Sequence, residues 1–108
     1  DLISGMDSLR ELNLEGNSLY ALPSGIGKLQ QLRSLVITNN KLKSLPEGLC
    51  ELSQLELLLL SFNPIEKFPL EISKLQNLKT LVALGTLLSG AEKRRIIEAL
   101  PQCDVRFD

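Results

Sequence analysis

The feature that most constrains this sequence is a repeat with a strict period of 23 residues. Each unit opens on a leucine, and the four leucines are Leu9, Leu32, Leu55 and Leu78. The first three units align without a gap, and the fourth follows the pattern only for its first half. A fixed period of this size is typical of a solenoid, in which each unit stacks on the next. We therefore interpret the chain as one repeat domain.

The period also defines the parts of this domain. They are a partial repeat (1–8), three full repeats (9–31, 32–54 and 55–77), a partial last repeat (78–88) and a C-terminal cap (89–108). In the first part, Ile3 and Met6 stand 23 residues before Ile26 and Leu29 and should fill the same apolar positions. The chain thus begins with half a unit, and we expect no N-terminal cap. An uncapped end leaves an open strand edge.

The first half of each unit predicts a β-strand. It reads L-x-x-L-x-L, and this alternation of apolar and variable residues is the period of a strand. Because the units are short and equivalent, their strands should lie side by side and parallel. Asn17, Asn40 and Asn63 follow the strands, where an amide side chain can satisfy buried backbone groups. We interpret these asparagines as a structural ladder in which Thr86 is a poorer fourth member.

The sequence after Leu88 predicts a cap. Ser89 and Glu92 form the S-x-x-E pattern of a capping box, so a helix should begin at Ser89, run to about Leu100 and end at Pro101. We expect the helix face that covers the last repeat to contain Ala91, Ile96, Ile97 and Leu100. Its charged residues, Lys93, Arg94 and Arg95, should point outward. We expect the tail to run extended along the closed end and to bury Cys103, Val105 and Phe107.

The full pattern, L-x-x-L-x-L-x-x-N-x-L-x-x-L-P, resembles the leucine-rich-repeat family. The ending, from Ser89 through Phe107, is similar to the terminal cap of bacterial members of that family. The resemblance implies an α/β fold, a short right-handed solenoid whose concave face is a parallel sheet of about four strands. It also implies that the concave face binds proteins.

Side chains alternate between the two faces of a strand, so the variable residues between the leucines should line the concave surface. The first repeat places charge there, whereas the third and fourth place aliphatic and aromatic residues. A contiguous exposed apolar patch usually marks an interaction site. The residues predicted to bind a partner are Arg33, Val36, Thr38, Leu57, Leu59, Ser61, Phe62, Lys79, Val82 and Leu84. Two alternatives are that the chain's own tail covers this patch, or that its exposure is tolerated.

The composition argues against several other functions. A net charge of −1 gives no general attraction to nucleic acid. The chain has no histidine, so Ser34, Thr38 and Ser61 have no imidazole to activate them as nucleophiles. The two cysteines, Cys50 and Cys103, lack the spacing of a metal site. We therefore expect no enzyme activity and no cofactor or metal.

Two properties bear on the compartment without deciding it. No apolar stretch approaches the ~18 residues of a membrane span, so we expect no membrane insertion. We expect both cysteines to stay reduced. A cytoplasmic and a secreted location are both compatible with the sequence.

The sequence therefore predicts a non-catalytic scaffold that binds a protein through the apolar residues of its third and fourth repeats. One alternative is a substrate-recognition fragment of a larger bacterial effector enzyme, such as a ubiquitin ligase. Another is a structural or adhesion protein of a surface. Two copies could also form a homodimer, either through the apolar patch or through the open edge near Leu2, Ile3, Met6 and Leu9.

Overall fold

The structure of the chain, a computed structural model, describes residues 7–108. Its centre is one parallel sheet with the strand order β1-β2-β3-β4-β5. The strands are β1 (Glu11–Asn13), β2 (Ser34–Val36), β3 (Leu57–Leu59), β4 (Thr80–Val82) and β5 (Asp104–Arg106). The four strands expected from the repeat are confirmed, and the tail adds a fifth.

The strand register follows directly from the period. Leu12 lies opposite Leu35, Leu35 opposite Leu58 and Leu58 opposite Leu81, so each residue faces the one 23 positions later. The last step is one residue longer because the cap precedes β5, and Leu81 lies opposite Val105. These inward side chains stack into one continuous core, in which Leu35, Leu58 and Leu81 are fully buried.

The chain returns from each strand through a short 3₁₀ segment on the opposite side of the core. These segments are Ser24–Lys28, Glu47–Glu51 and Ile72–Lys74. The apolar residues at each segment lie three positions apart, which suits the three residues per turn of a 3₁₀ helix. These residues are fully buried, among them Ile26, Leu29, Leu49 and Leu52. The first two segments pack so closely that a Cβ atom at Gly27 would lie 2.5 Å from the carbonyl oxygen of Gly48.

The asparagine ladder is present in its second and third members. The Asn40 side chain accepts hydrogen bonds from the amides of Asn17 and Leu19 and donates to the carbonyls of Leu14 and Ile37. One unit later, Asn63 accepts from the amide of Leu42, donates to the carbonyls of Ile37 and Leu60, and is 1% exposed. Thr86 breaks the ladder, because its buried hydroxyl has no hydrogen-bond partner among the described residues.

The predicted capping helix forms as α1 (Gly90–Ala99), and the Ser89 hydroxyl accepts from the amide of Glu92 at 3.1 Å. The predicted packing face of this helix is partly wrong. Ile96 and Leu100 are buried, but Ala91 is exposed and Ile97 is 49% exposed. Packing Ile96 inward brings Glu92, one turn earlier, onto the same face. The helix therefore docks through Glu92, Ile96 and Leu100.

Arg95 does not point outward as expected. Its guanidinium bonds the Glu92 carboxylate at 2.7 Å and donates to the carbonyls of Phe68 and Pro69. Glu92 in turn accepts from the amide of Phe68 at 2.8 Å. These contacts, hereafter the cap latch, hold α1 against the residues that precede the 3₁₀ segment of the third repeat.

The tail is extended as expected but is less buried than expected. Cys103, Val105 and Phe107 pack against the core and yet remain half-buried. The reason is that β5 is the last strand of the described sheet, so no further unit covers its outer side.

The expected positions of Ile3 and Met6 lie outside the described residues, and so does Leu2. At the same end, Leu9, Leu12 and Leu14 are half-buried, whereas their equivalents in the second repeat, Leu32, Leu35 and Ile37, are fully buried. Among residues 7–108, no helix has both the length and the apolar composition needed to cross a lipid bilayer.

Candidate functional site

The candidate site is the outer face of the sheet, formed by the residues that alternate with the core leucines. The strand register arranges these residues in two rows. One row is Glu11, Ser34, Leu57, Thr80 and Asp104, and the next is Asn13, Val36, Leu59, Val82 and Arg106. Neighbouring strands in a sheet lie about 4.8 Å apart, so adjacent members of a row are in contact range. Hereafter we call this surface the open face.

The middle of the open face is apolar. We define the apolar patch as six residues, Val36, Leu57, Leu59, Phe62, Val82 and Leu84. The five aliphatic members are half-buried, and Phe62 is 58% exposed. The tail does not cover them, since β5 pairs edge to edge with β4 and extends the sheet sideways. The register therefore brings the apolar residues predicted from the sequence into one contiguous surface.

Phe62 has an uncommon backbone conformation. Its φ of +61° lies in the left-handed region, which favours glycine and tolerates asparagine. The equivalent positions of the other units, Gly16, Asn39 and Gly85, share this conformation, and none carries a large side chain. An aromatic residue is therefore unfavourable for the backbone at this site, and local strain of this kind is often associated with function.

The ring of Phe62 rests on Gly85 of the next unit. A Cβ atom added to Gly85 would lie only 2.6 Å from the Cδ1 atom of Phe62. Gly85 itself has a φ of +63°, so the turn and the ring both require glycine there. One side of the ring is thus occupied by the chain, and the rest faces solvent.

Ser61, predicted as a contact residue, is placed differently. It is 6% exposed, and its hydroxyl accepts a hydrogen bond from the amide of Leu84 at 3.0 Å. The reason is that the hydroxyl satisfies a backbone donor beside the core. Ser61 therefore supports Leu84 and is not available to contact a partner.

The remaining predicted residues lie around the apolar patch. Thr38 is half-buried near the end of β2, while Arg33 and Lys79 are exposed just before β2 and β4. The Lys79 ammonium lies 3.7 Å from the Glu56 carboxylate, with both side chains largely exposed. Such exposed pairs contribute little to stability, so these charges form a polar rim.

The two edges of the open face carry further charges. Glu11 and Glu15 flank Asn13 at the β1 edge. At the β5 edge, Arg106 pairs with Asp104 at 3.0 Å, and Asp108 accepts from the amide of Gly85 at 2.7 Å. The sequence reasoning missed Asp108. Its position follows only if the tail is read as a strand in register with β4, which places Asp108 beside Leu84.

Possible metal ligands and the two thiols are the groups on which metal or thiol chemistry would depend. Within residues 7–108, no group of three or more His, Cys, Asp or Glu side chains is arranged to hold a metal ion. Cys50 and Cys103 are free thiols, and burial is the main cause that raises the pKa of each to about 11. Thiols with such pKa values are mostly protonated, and hence unreactive, near neutral pH.

Comparison with known proteins agrees with this architecture. A family profile described as "Leucine-rich repeat region" matches residues 2–103. Among solved structures, a leucine-rich-repeat protein of Leptospira interrogans is similar, with 37% sequence identity and a TM-score of 0.94. That match covers 97% of this chain and 27% of the other chain, so this chain spans about a quarter of that relative's length. The comparison with curated proteins gave no match.

Proposed function

Because the chain belongs to the leucine-rich-repeat family, we propose that it is a non-catalytic scaffold that binds a protein partner on its open face. The family supports an interaction scaffold in general terms. Our finer proposal is that the apolar patch makes the central contact and that Arg33, Thr38 and Lys79 belong to its polar rim.

The observation that best supports this proposal is the difference between the first repeat and the third. At the positions of Leu57, Leu59 and Phe62, the first repeat carries Glu11, Asn13 and Gly16. The repeat therefore folds with polar residues or glycine at these positions. The apolar side chains are not needed for the stacking of units, and protein interfaces concentrate such residues at their centre.

Phe62 is the best candidate for an anchor in this interface. It is the most exposed member of the apolar patch, and its ring is held in place by Gly85. Aromatic side chains contribute a large contact area with few rotatable bonds. A ring that is already positioned loses little conformational entropy on binding.

The proposal can be tested by capture from a lysate of the source organism. Immobilised wild-type chain should retain specific proteins, and Leu59→Glu or Val82→Glu should abolish that retention, because each buries a carboxylate under the partner. Leu70→Glu is the matched control. Leu70 is 83% exposed and lies just before the 3₁₀ segment Ile72–Lys74, on the opposite side of the core from the sheet. The same change there therefore leaves the open face intact.

Circular dichroism must show that all three variants stay folded. If the Leu59→Glu and Val82→Glu variants fold and still retain the same proteins as the wild type, the apolar patch is not the binding surface. If all three variants lose the proteins equally, the loss does not depend on the open face and the proposal also fails.

The other functions considered from the sequence have no specific observation in their favour. Neither attachment to an effector enzyme nor a role in adhesion is supported by a feature of residues 7–108. Association of two copies at the β1 edge stays a prediction, since three of its four residues, Leu2, Ile3 and Met6, lie outside the described residues. Light scattering that finds only monomer at high concentration would contradict it.

A further inference from the structure

The aromatic rings of this chain differ in whether a cation accompanies them. There are four rings, those of Tyr20, Phe62, Phe68 and Phe107. Phe68 is buried. The Lys41 ammonium lies 5.3 Å from the centre of the Tyr20 ring, and the Lys93 ammonium lies 5.7 Å from that of Phe107. Among the described residues, Phe62 is thus the exposed ring that has no cation over it.

A carboxylate reaches the same glycine as this ring, from just after the neighbouring strand β5. Phe62 and Asp108 both contact Gly85, the first through its ring and the second by accepting from the glycine amide at 2.7 Å. Within residues 7–108, the Asp108 side chain forms no ion pair. Lys93 approaches only the main-chain carbonyl of Asp108, at 3.3 Å. Lys93 therefore neighbours Asp108 but binds its main chain, and among the described residues the Asp108 carboxylate has no cation paired with it.

An aliphatic surface connects the ring to the rest of the apolar patch. The amide of Phe62 donates to the carbonyl of Leu84 at 2.7 Å, which places these two residues side by side on adjacent strand ends. Leu84 is half-buried and carries its side chain on the same face. The corner thus combines an open ring, an aliphatic side chain and a carboxylate.

We propose that this corner of the open face is a subsite for a lysine or arginine side chain of the partner. The cation would lie over the Phe62 ring and pair with the Asp108 carboxylate, while its methylene stem packs on Leu84. Aromatic faces attract cations, and long basic side chains commonly pack their stems on apolar surface. The inference rests on the proposed function and specifies the chemistry of the partner there: a basic residue next to apolar ones.

Other charges on the open face are compatible with this assignment. Arg106 is paired with Asp104 and Lys79 with Glu56, so these two cations are already matched. Arg33 lies before β2, at the opposite end of the strands from Phe62 and Asp108. Lys93 is the like charge near the proposed subsite. Its ammonium lies 3.3 Å from the main-chain carbonyl of Asp108 and 5.7 Å from the centre of the Phe107 ring, and it does not pair with the Asp108 carboxylate.

The test uses a random peptide display library selected on the wild-type chain. The selected peptides should be enriched in Lys or Arg next to aliphatic or aromatic residues. The best peptide is then synthesised with citrulline or norleucine in place of its basic residue, and affinities are measured by calorimetry. The neutral peptide should bind about 5- to 10-fold more weakly, the range expected for a cation that loses a ring and a carboxylate.

Two variants of the chain probe the subsite itself. Phe62→Leu removes the π-system but keeps an apolar side chain, and Asp108→Asn removes the charge but keeps an acceptor for the Gly85 amide. Each should weaken the basic peptide about 5-fold more than it weakens the neutral peptide. Leu70→Glu should not affect either peptide.

The outcomes separate this inference from the proposed function. Peptides that lose affinity with Leu59→Glu but show no basic enrichment, or that are insensitive to Asp108→Asn, would overturn the subsite alone. A selection that gives no specific peptide, or gives peptides insensitive to Leu59→Glu, would contradict binding at the apolar patch and the subsite with it.

Discussion

At the scale of single residues, the backbone conformation of Phe62 is in conflict with the role that we propose for its side chain. A residue with a β-carbon in the left-handed region costs about 1–2 kcal/mol relative to an ordinary conformation. The equivalent residues of the other units, Gly16, Asn39 and Gly85, reduce this cost. The Phe62 ring recovers part of it by contact with Gly85, yet the side chain stays 58% exposed.

Replacement of Phe62 by asparagine should separate these two roles. Asn39 already occupies the equivalent position with the same φ of +61°. We expect Phe62→Asn to change the free energy of unfolding by less than about 1 kcal/mol, since relief of strain offsets the lost ring contact. The same variant should lose most binding at the open face. Urea denaturation followed by circular dichroism measures the first effect.

A loss of more than about 2 kcal/mol in the Phe62→Asn variant would show that the ring is needed mainly for folding. Asn39→Gly serves as the control, because it changes the equivalent position of the second unit, and Asn39 is not a member of the apolar patch.

Three polar residues show which structural roles could and could not be predicted from the sequence. Asn40 and Asn63 could be assigned to a buried ladder, because their positions in the period fix their surroundings. Ser61 could not, since a serine at a variable position reads equally as a contact residue or as a partner for a backbone amide. Only the hydrogen bond from the Leu84 amide decides between them.

At the scale of elements, the strands followed the sequence more closely than the cap did. The 23-residue period fixed which residue faces which across the sheet, so the open face could be predicted almost entirely. The capping helix has no such repeat to set its rotation. Ten residues allow several apolar faces, and contacts of Glu92 and Arg95 with Phe68 select one in which Ala91 and Ile97 are exposed.

The cap latch should make the stability of the chain depend on pH. The hydrogen bond from Arg95 is the main cause that lowers the pKa of Glu92 below its usual value near 4.5, and the amide of Phe68 adds to it. A carboxyl with a lowered pKa in the folded state stabilises the fold above its unfolded pKa. This contribution is lost as the pH falls through the folded pKa.

We therefore expect Glu92→Gln to reduce the free energy of unfolding by about 1 kcal/mol at neutral pH, the scale of a partly exposed ion pair with its hydrogen bonds. The difference from the wild type should shrink as the pH is lowered below about 4.5. Denaturation curves at a series of pH values give both quantities. Glu98→Gln is the control, because Glu98 is exposed on the same helix and forms no ion pair within residues 7–108.

A difference between wild type and Glu92→Gln that stays constant down to strongly acidic pH would mean that the Glu92 charge is not the source of the effect. The cap would then be held by Ile96 and Leu100 alone.

At the scale of the whole molecule, the chain is a short stack with one uncovered sheet face. The five described strands extend about 19 Å from β1 to β5, so the area that these strands offer is small. Interfaces below the standard size are usually weak or transient. Since affinity depends on a few anchors more than on area, the proposed function assigns the main contribution to Phe62 and its neighbours.

The proposed function requires that the apolar patch is open to solvent while the leucines between its members are not. Methyl NMR with a soluble paramagnetic gadolinium chelate measures this directly. We predict strong relaxation enhancement for the methyl groups of Leu57, Leu59, Val82 and Leu84, and little for those of Leu58 and Leu81. If the methyl groups of the apolar patch are as protected as those of Leu58 and Leu81, the proposed function is contradicted, because no apolar surface is then left for a partner.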